Sequence, residues 1–447
     1  MRHAVHRLIA TLPLLCGAAL ALAAGAIGKP AVVQKPSVDV HAAPDLAAAT
    51  VATLKRNATV QVAAQQGLWY ELALPSGKGF VRINDVRMAF AGTEGGNARA
   101  LFTGKAGKGR VTETAGVRGL DESDLKSAAF DGAQFARLES YRLDPDAAAG
   151  EARAQGWKDS SVAYAAEARP AGKAAKGGAT QAQKRGGLSL VRGLLGQMGV
   201  NTGTAGSSAM DVAEASAGKS EEEQSAEELA LGPEIAGRVL GAAPLWEDDA
   251  AQRRVNRIGR WMASRTSRPE LPWVFGVIDS PEINAFAAPG GYVLVTRGLY
   301  DLLGDDAEVA AVLGHEISHI VQRDHYNVIR KQETSSALQG AAANQVHTGN
   351  IAADMAKDYV RRHGAAVLLT SLDREAEFRS DEAAEVYLAR AGFNPLALYA
   401  VLQKMMALGS ASGGLAQLYR THPALDDRLD RIDQRGFAGL EAYTSRD

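Results

Sequence analysis

Between residues 30 and 90, apolar and polar residues alternate in short runs. Val38-Asp39-Val40-His41, Ala52-Thr53-Leu54, Thr59-Val60-Gln61-Val62, Leu68-Trp69-Tyr70-Glu71-Leu72 and Gly79-Phe80-Val81 each read as a strand. Pro44-Asp45, Lys55-Arg56-Asn57 and Pro75-Ser76-Gly77 read as turns between them. Five short strands with tight turns predict a small all-β barrel. From 91 to 228 the pattern weakens into Ala/Gly-rich sequence. Asp121 is a candidate N-cap, and Leu125, Phe130, Phe135, Leu138 and Tyr141 form one amphipathic surface through about Arg142. A second helical stretch runs from Ala147 to Ala166. Residues 167–185 and 201–227 read as linkers, with Glu221-Glu222-Glu223 a solvated acidic run. Strong patterning returns at Leu229. Leu240, Trp246, Val255, Ile258, Trp261 and Met262 predict helices. Trp273 to Asp279 predicts a buried strand, and Asn284 to Ala288 and Tyr292 to Thr296 predict two more, joined across Pro289-Gly290-Gly291. Helices follow over 298–304, 307–330, 336–346, 350–369, 374–390, 395–408, 413–420 and 424–434. Asn394-Pro395 supplies an N-cap and an N1 proline, and Gly409 a stop. The chain is thus expected to be multidomain. A small β unit spans 30–90, a partly helical region 91–228, a mainly helical α+β domain with a small sheet 229–436, and a tail 437–447.

Composition adds two constraints. The 447 residues carry a net charge of −2, so no basic footprint argues for a nucleic-acid partner. The N-terminus reads as a cleaved signal peptide over 1–26: Arg2 and Arg7, an apolar run from Leu8 to Ala24, and Ala21-Leu22-Ala23 as a small-x-small site, with a cut after Ala26 as an alternative. The run is short for a transmembrane anchor. The single cysteine, Cys16, lies within it, and Leu15 before it is not the small residue a lipoprotein site wants. The mature chain then has no disulfide and no thiolate ligand. The longest later apolar stretch, Ala365 to Leu372, is far too short to span a bilayer. A periplasmic or secreted protein is expected. There is no internal repeat.

The chemistry concentrates at Gly314-His315-Glu316-Ile317-Ser318-His319. Two histidines four apart lie on one helix face, so both imidazoles reach one zinc ion, and Glu316 faces a water on that ion as a base. With nine histidines in the chain, a chance HExxH arises in about one such sequence in a hundred.

A zinc peptidase needs a third protein ligand. His325 stands at the metzincin distance, but that pattern needs glycine where this chain has Gln322. A helix running on through Gln322 carries His325 about 240° around from His319 and off the metal face. Glu377 is the other candidate, with Asp381 one helical turn further on, suited to hold the free N–H of a ligating histidine. Because Glu375, Glu377, Asp381 and Glu382 crowd together, a merely solvated helix face is the alternative.

Two resemblances extend this reading. Gly67-Leu68-Trp69-Tyr70-Glu71-Leu72 and Gly77-Lys78-Gly79-Phe80-Val81, the second one residue short between its glycines, resemble the later strands of bacterial SH3-like domains. That implies peptide or peptidoglycan binding, with Trp69 and Tyr70 either core or an aromatic contact surface. Residues 229 to 434 resemble the zinc metallopeptidase family of HtpX and the CAAX prenyl proteases. The matching elements are Asn284-Ala285-Phe286-Ala287-Ala288-Pro289-Gly290-Gly291, Arg297-Gly298-Leu299, the lead into HExxH from Glu308, Glu377 to Asp381, and Thr421-His422-Pro423 with Arg428. Arg379 and Ser380 stand where the family often has Glu-Ala, and flank the ligand. The resemblance implies one zinc held by His315, His319 and Glu377, and Glu316 as base. Asp381 orients a ligand, and Asn284, Ala285 and Phe286 form a substrate-pairing strand. His422 and Arg428 are candidates for stabilising the oxyanion, and His422 alternatively plugs the zinc. It also implies a protein or peptide substrate, with peripheral membrane contact compatible with it. Relatives that act in outer-membrane assembly carry tetratricopeptide repeats after the peptidase; the sequence ends at Asp447 without room for an array, which argues against that role.

Overall fold

The alternating N-terminal region forms one antiparallel sheet of seven strands. In the computed structural model, residues 28–89, 122–167, 221–332, 364–370, 372–408 and 425–445 are described, with Leu120, Val360, Leu415, Leu418 and His422 singly. The signal-like segment, Asp121, Gly409, the expected helix at 336–346, most of those at 350–369 and 413–420, and most of both linkers lie outside the described residues.

The strands are β1 (Lys29–Val33), β2 (Ser37–His41), β3 (Thr50–Lys55), β4 (Thr59–Gln66), β5 (Trp69–Leu74), β6 (Gly77–Arg82) and β7 (Val86–Met88), in spatial order β3-β2-β6-β5-β4-β1-β7. The five expected strands are present; β1 and β7 are additional. β1 contains Pro30 and no clear alternation, and β7 has only three residues, so neither carries a periodic signal. The expected closed barrel needs correction, because β3 and β7 end the sheet unpaired with each other. Trp69 and Tyr70 are buried, with the Arg82 guanidinium over the Trp69 ring, so they are core and no exposed aromatic surface.

The end of the sheet docks on the helical domain. Met88 N donates to Gln403 Oε1 (2.8 Å), and Gln403 Nε2 donates to Ile83 O (2.8 Å) and Val86 O (2.9 Å). Arg87 pairs with Asp430 and Asp433 alongside. Gln403 is fully buried, so truncating it strands three backbone groups. Gln403→Ala is expected to cost about 2–4 kcal/mol in denaturant unfolding, from the usual cost of unsatisfied buried groups. A change under about 0.5 kcal/mol, the range of an ordinary surface substitution, would show that the docking contributes nothing.

The expected first helical stretch is split into α1 (Glu122–Ser127) and α2 (Gly132–Ser140), because Asp131 restarts the helix by accepting from Ala133 N and Gln134 N. α3 (Pro145–Ala154) stops short of Ala166, where Gly156 turns at φ 74°. α4 (Glu221–Ala242) begins inside the expected linker and crosses the 228/229 boundary. Glu221, Glu222 and Glu223 fill its first turn, where the helix dipole favours negative charge.

α5 (Asp249–Ala263) leads to a second sheet of β8 (Val274–Ile278), β9 (Ala285–Ala288) and β10 (Tyr292–Thr296), close to the expected spans. β10 is central, parallel to β8 and antiparallel to β9 with Leu294 opposite Phe286. The β9–β10 turn needs Gly290 and Gly291 at φ 78° and 104°. α4 lies so close over this turn that a Cβ on Gly232 would stand 2.1 Å from Pro289 O. After α6 (Arg297–Tyr300) comes α7 (Asp306–Val321), buried on all sides from Glu308 to Ile320. It packs against α5, against α9 (Arg374–Ala391) and against α10 (Leu396–Leu408). A helix over 324–332, here α8, follows the break after α7. α11 (Leu425–Arg435) and α12 (Glu441–Thr444) close the domain. Among the described residues no helix is long and apolar enough to cross a membrane.

Candidate metal centre

α7 carries His315 and His319 on one face, and α9 crosses it with Glu377. One ligand atom from each of His315, His319, Glu377 and His422 lies within 4.8 Å of every other. The two Nε2 atoms are 3.2 Å apart. Glu377 Oε2 is 3.5 Å from His315 Nε2, and Oε1 is 3.6 Å from His319 Nε2. His422 Nδ1 is 2.7 Å from Glu377 Oε2.

The far side of each imidazole faces a carboxylate. His315 Nδ1 is 3.0 Å from Asp381 Oδ1, and His319 Nδ1 is 2.8 Å from Asp324 Oδ2. Ser380 Oγ is 3.1 Å from His319 Nδ1. Rings whose Nδ1 protons go to carboxylates point Nε2 lone pairs at each other, so a proton or a cation has to lie between them. Glu377 Oε1 is buried without a hydrogen-bond partner. Burial alone would raise the Glu377 pKa, but His422, His315 and His319 hold it well below the usual carboxylate range. Two imidazoles and one ionised carboxylate, whose Oε1 has no hydrogen-bond partner, converge on a point and fit a zinc ion. His315 is itself pushed up to about 9: burial and Arg428 lower it, and Asp381 and Glu377 outweigh them. A cation taking His315 Nε2 displaces that proton.

Arg428 reaches in from α11. Its Nε donates to Asp381 Oδ2 (2.9 Å), a second nitrogen donates to Asp381 Oδ1, and that nitrogen lies 3.3 Å from His315 Nδ1. The guanidinium is buried and committed to Asp381, so it positions His315 through that carboxylate.

Glu316, Asn284, Ala285, His325 and His422 line one cleft. Phe286 points the other way, into the core shared with Tyr292 and Leu294, as strand alternation requires. The Asn284 backbone is fixed by Thr296: Asn284 N donates to Thr296 Oγ1 (3.0 Å) and Thr296 N donates to Asn284 O (3.0 Å).

One expectation about the helix is overturned. α7 does not continue past Gln322, which caps it, and Arg323 turns at φ 60°. A non-glycine residue there costs about 1–2 kcal/mol. The Arg323 side chain is gripped by α4, donating to Glu228 (2.8 Å), Glu221 (2.6 Å) and Ser225 (2.9 Å). The break swings Asp324 onto His319 and His325 into the cleft, its ring 6.1 Å from that of His319. His325 remains outside the cluster of potential ligands. Asp324 had no signal in the sequence, since its place depends on this break. Arg379 and Ser380, the departures from the family pattern, join the same shell: Arg379 Nε donates to Gln322 Oε1 (2.9 Å).

An HExxH helix with a carboxylate from a later helix defines a metal centre of the gluzincin kind. Residues 249–436 match the model of peptidase family M48. Among curated proteins, the chain is similar to the Beta-barrel assembly-enhancing protease of Escherichia coli (strain K12), 28% identical over 213 residues, 45% of this chain and 42% of that protein. It is 29% identical over 188 residues to the Mitochondrial metalloendopeptidase OMA1 of Arabidopsis thaliana, covering 42% and 36% of the two chains. Metalloprotease LoiP of Escherichia coli (strain K12) is 26% identical over 164 residues, 37% of this chain and 63% of that protein. The match thus spans less than two thirds of each of these relatives.

Proposed function

We propose that the protein is a zinc metalloendopeptidase that hydrolyses peptide bonds of envelope proteins in quality control. The observation that carries this reading is the convergence of His315, His319 and Glu377 beside Glu316 in a cleft bordered by β9. Lewis acidity toward a water and the scissile carbonyl is what a zinc ion held there supplies. Glu316 takes the proton of the attacking water and delivers it to the leaving amine. Asp381 with Arg428, and Asp324 with Ser380, fix the two imidazole rings. Asn284 and Ala285 present β9 to an extended substrate, Phe286 contributing only backbone. Relatives matched over this domain are named as a metalloendopeptidase and a metalloprotease. Chelation is expected to abolish cleavage of casein, and zinc to restore it; cleavage that persists after the metal is removed would sink the reading.

The N-terminal sheet suits an SH3-like module acting as an address. The signal-like N-terminus suits the periplasm or secretion, with no nucleic-acid partner and peripheral membrane contact compatible with the fold. Retention of the whole protein on purified peptidoglycan tests the address; absence of retention removes it. A second reading, a zinc-binding chaperone-like protein with little proteolysis, is favoured by His422, which stands among the potential ligands. Cleavage that rises in His422→Ala marks a plug, and cleavage that falls marks a residue that serves the oxyanion.

A further inference from the structure

Two polar side chains in the cleft have no use in the scheme so far. His325 Nδ1 and Asn284 Oδ1 are buried without a hydrogen-bond partner, in residues 9% and 1% exposed. Each such atom costs about 1–3 kcal/mol. Both residues line the cleft that holds Glu316, which makes it the place where a ligand's polar groups satisfy them.

The aim of His325 is built. It depends on the left-handed Arg323, held from α4 by Glu228, Glu221 and Ser225. A neutral imidazole offers one N–H donor and one acceptor. Arg428 is committed to Asp381, and His422 Nδ1 lies against Glu377.

Resting on the peptidase reading, we propose that His325 is a substrate-contacting catalytic residue whose ring N–H donates to the scissile carbonyl oxygen as negative charge builds there. Asn284 Oδ1 accepts from an N–H of the same extended peptide. No proton is transferred and no covalent bond to His325 forms; the interaction strengthens only as the oxygen gains charge.

The test uses full-length, zinc-loaded protein with His325→Phe, which keeps a planar ring without nitrogen, and His325→Gln, which keeps an N–H donor. His325→Phe is expected to lower kcat by roughly 10²–10³-fold, as loss of one oxyanion donor does. KM should shift less than about threefold, because the contact belongs to the transition state. Zinc content stays at the wild-type level. Affinity for a phosphinic peptide falls in parallel with kcat, while a plain peptide binds the Glu316→Gln background equally with and without the His325 change. His325→Gln recovers part of kcat. Wild-type kcat in His325→Phe at full zinc loading overturns the proposal alone. Loss of zinc in both variants also overturns it, since His325 would then be a ligand. A zinc-loaded wild type that cleaves nothing overturns the peptidase reading, and this proposal with it.

Discussion

Replacing Glu316 with glutamine is expected to lower kcat for peptide cleavage by roughly 10²–10⁴-fold, the usual contribution of a positioned base, while zinc stays bound. Glu316 follows His315 on α7 and lines the same cleft as Asn284 and His422, yet it is absent from the group of potential ligands. Glutamine keeps the volume and the polar contact and removes only the ability to take a proton. The metal site should therefore be blind to the change. Activity close to wild type in Glu316→Gln would remove the base from the mechanism. Loss of zinc would instead make Glu316 part of the metal site.

Arg428→Met is expected to destabilise the protein by about 3–5 kcal/mol, the usual result of removing one partner from a buried ion pair. Arg428 and Asp381 are 3% and 2% exposed, and the guanidinium meets both carboxylate oxygens. Burial would raise the Asp381 pKa, but Arg428 and His315 bring it from 3.8 down to about 2. A carboxyl depressed in the folded state stabilises above its unfolded value, and that contribution is lost as pH falls through the folded value. Wild type should therefore lose about 2 kcal/mol between roughly pH 4 and pH 2 from this group, at 1.36 kcal/mol per unit. The variant should show a smaller loss, because only His315 is left to hold the Asp381 carboxyl down. Urea unfolding of both proteins at pH 7 and pH 3 measures it. Equal stability at pH 7 would show that Asp381 finds another partner. Zinc affinity should also weaken about 10–100-fold, because Asp381 no longer holds the His315 ring.

The centre was legible where its geometry is local. The i, i+4 spacing of His315 and His319 follows from helical period; Glu377 and Asp381 rest on the family resemblance as well, because the crowded carboxylates around them also fit a solvated helix face. The three strands of the second sheet follow from short apolar runs around Pro289-Gly290-Gly291, and Asn394 caps α10 by accepting from Leu396 N (3.0 Å). What was not legible depends on distant partners. The end of α7 at Gln322 has no glycine to announce it; it rests on Arg323 meeting three side chains of α4, nearly a hundred positions earlier in sequence. Asp324, the partner of His319, follows from that break. The open sheet was missed because Met88 N is satisfied by Gln403, a residue of α10, and not by a closing strand.

The most direct test is zinc stoichiometry in purified wild type, Glu377→Gln and His325→Ala. One zinc per chain in wild type and in His325→Ala, with loss in Glu377→Gln, is the expected result. Zinc retained in Glu377→Gln and lost in His325→Ala would contradict the proposed ligand set and return His325 to the metal.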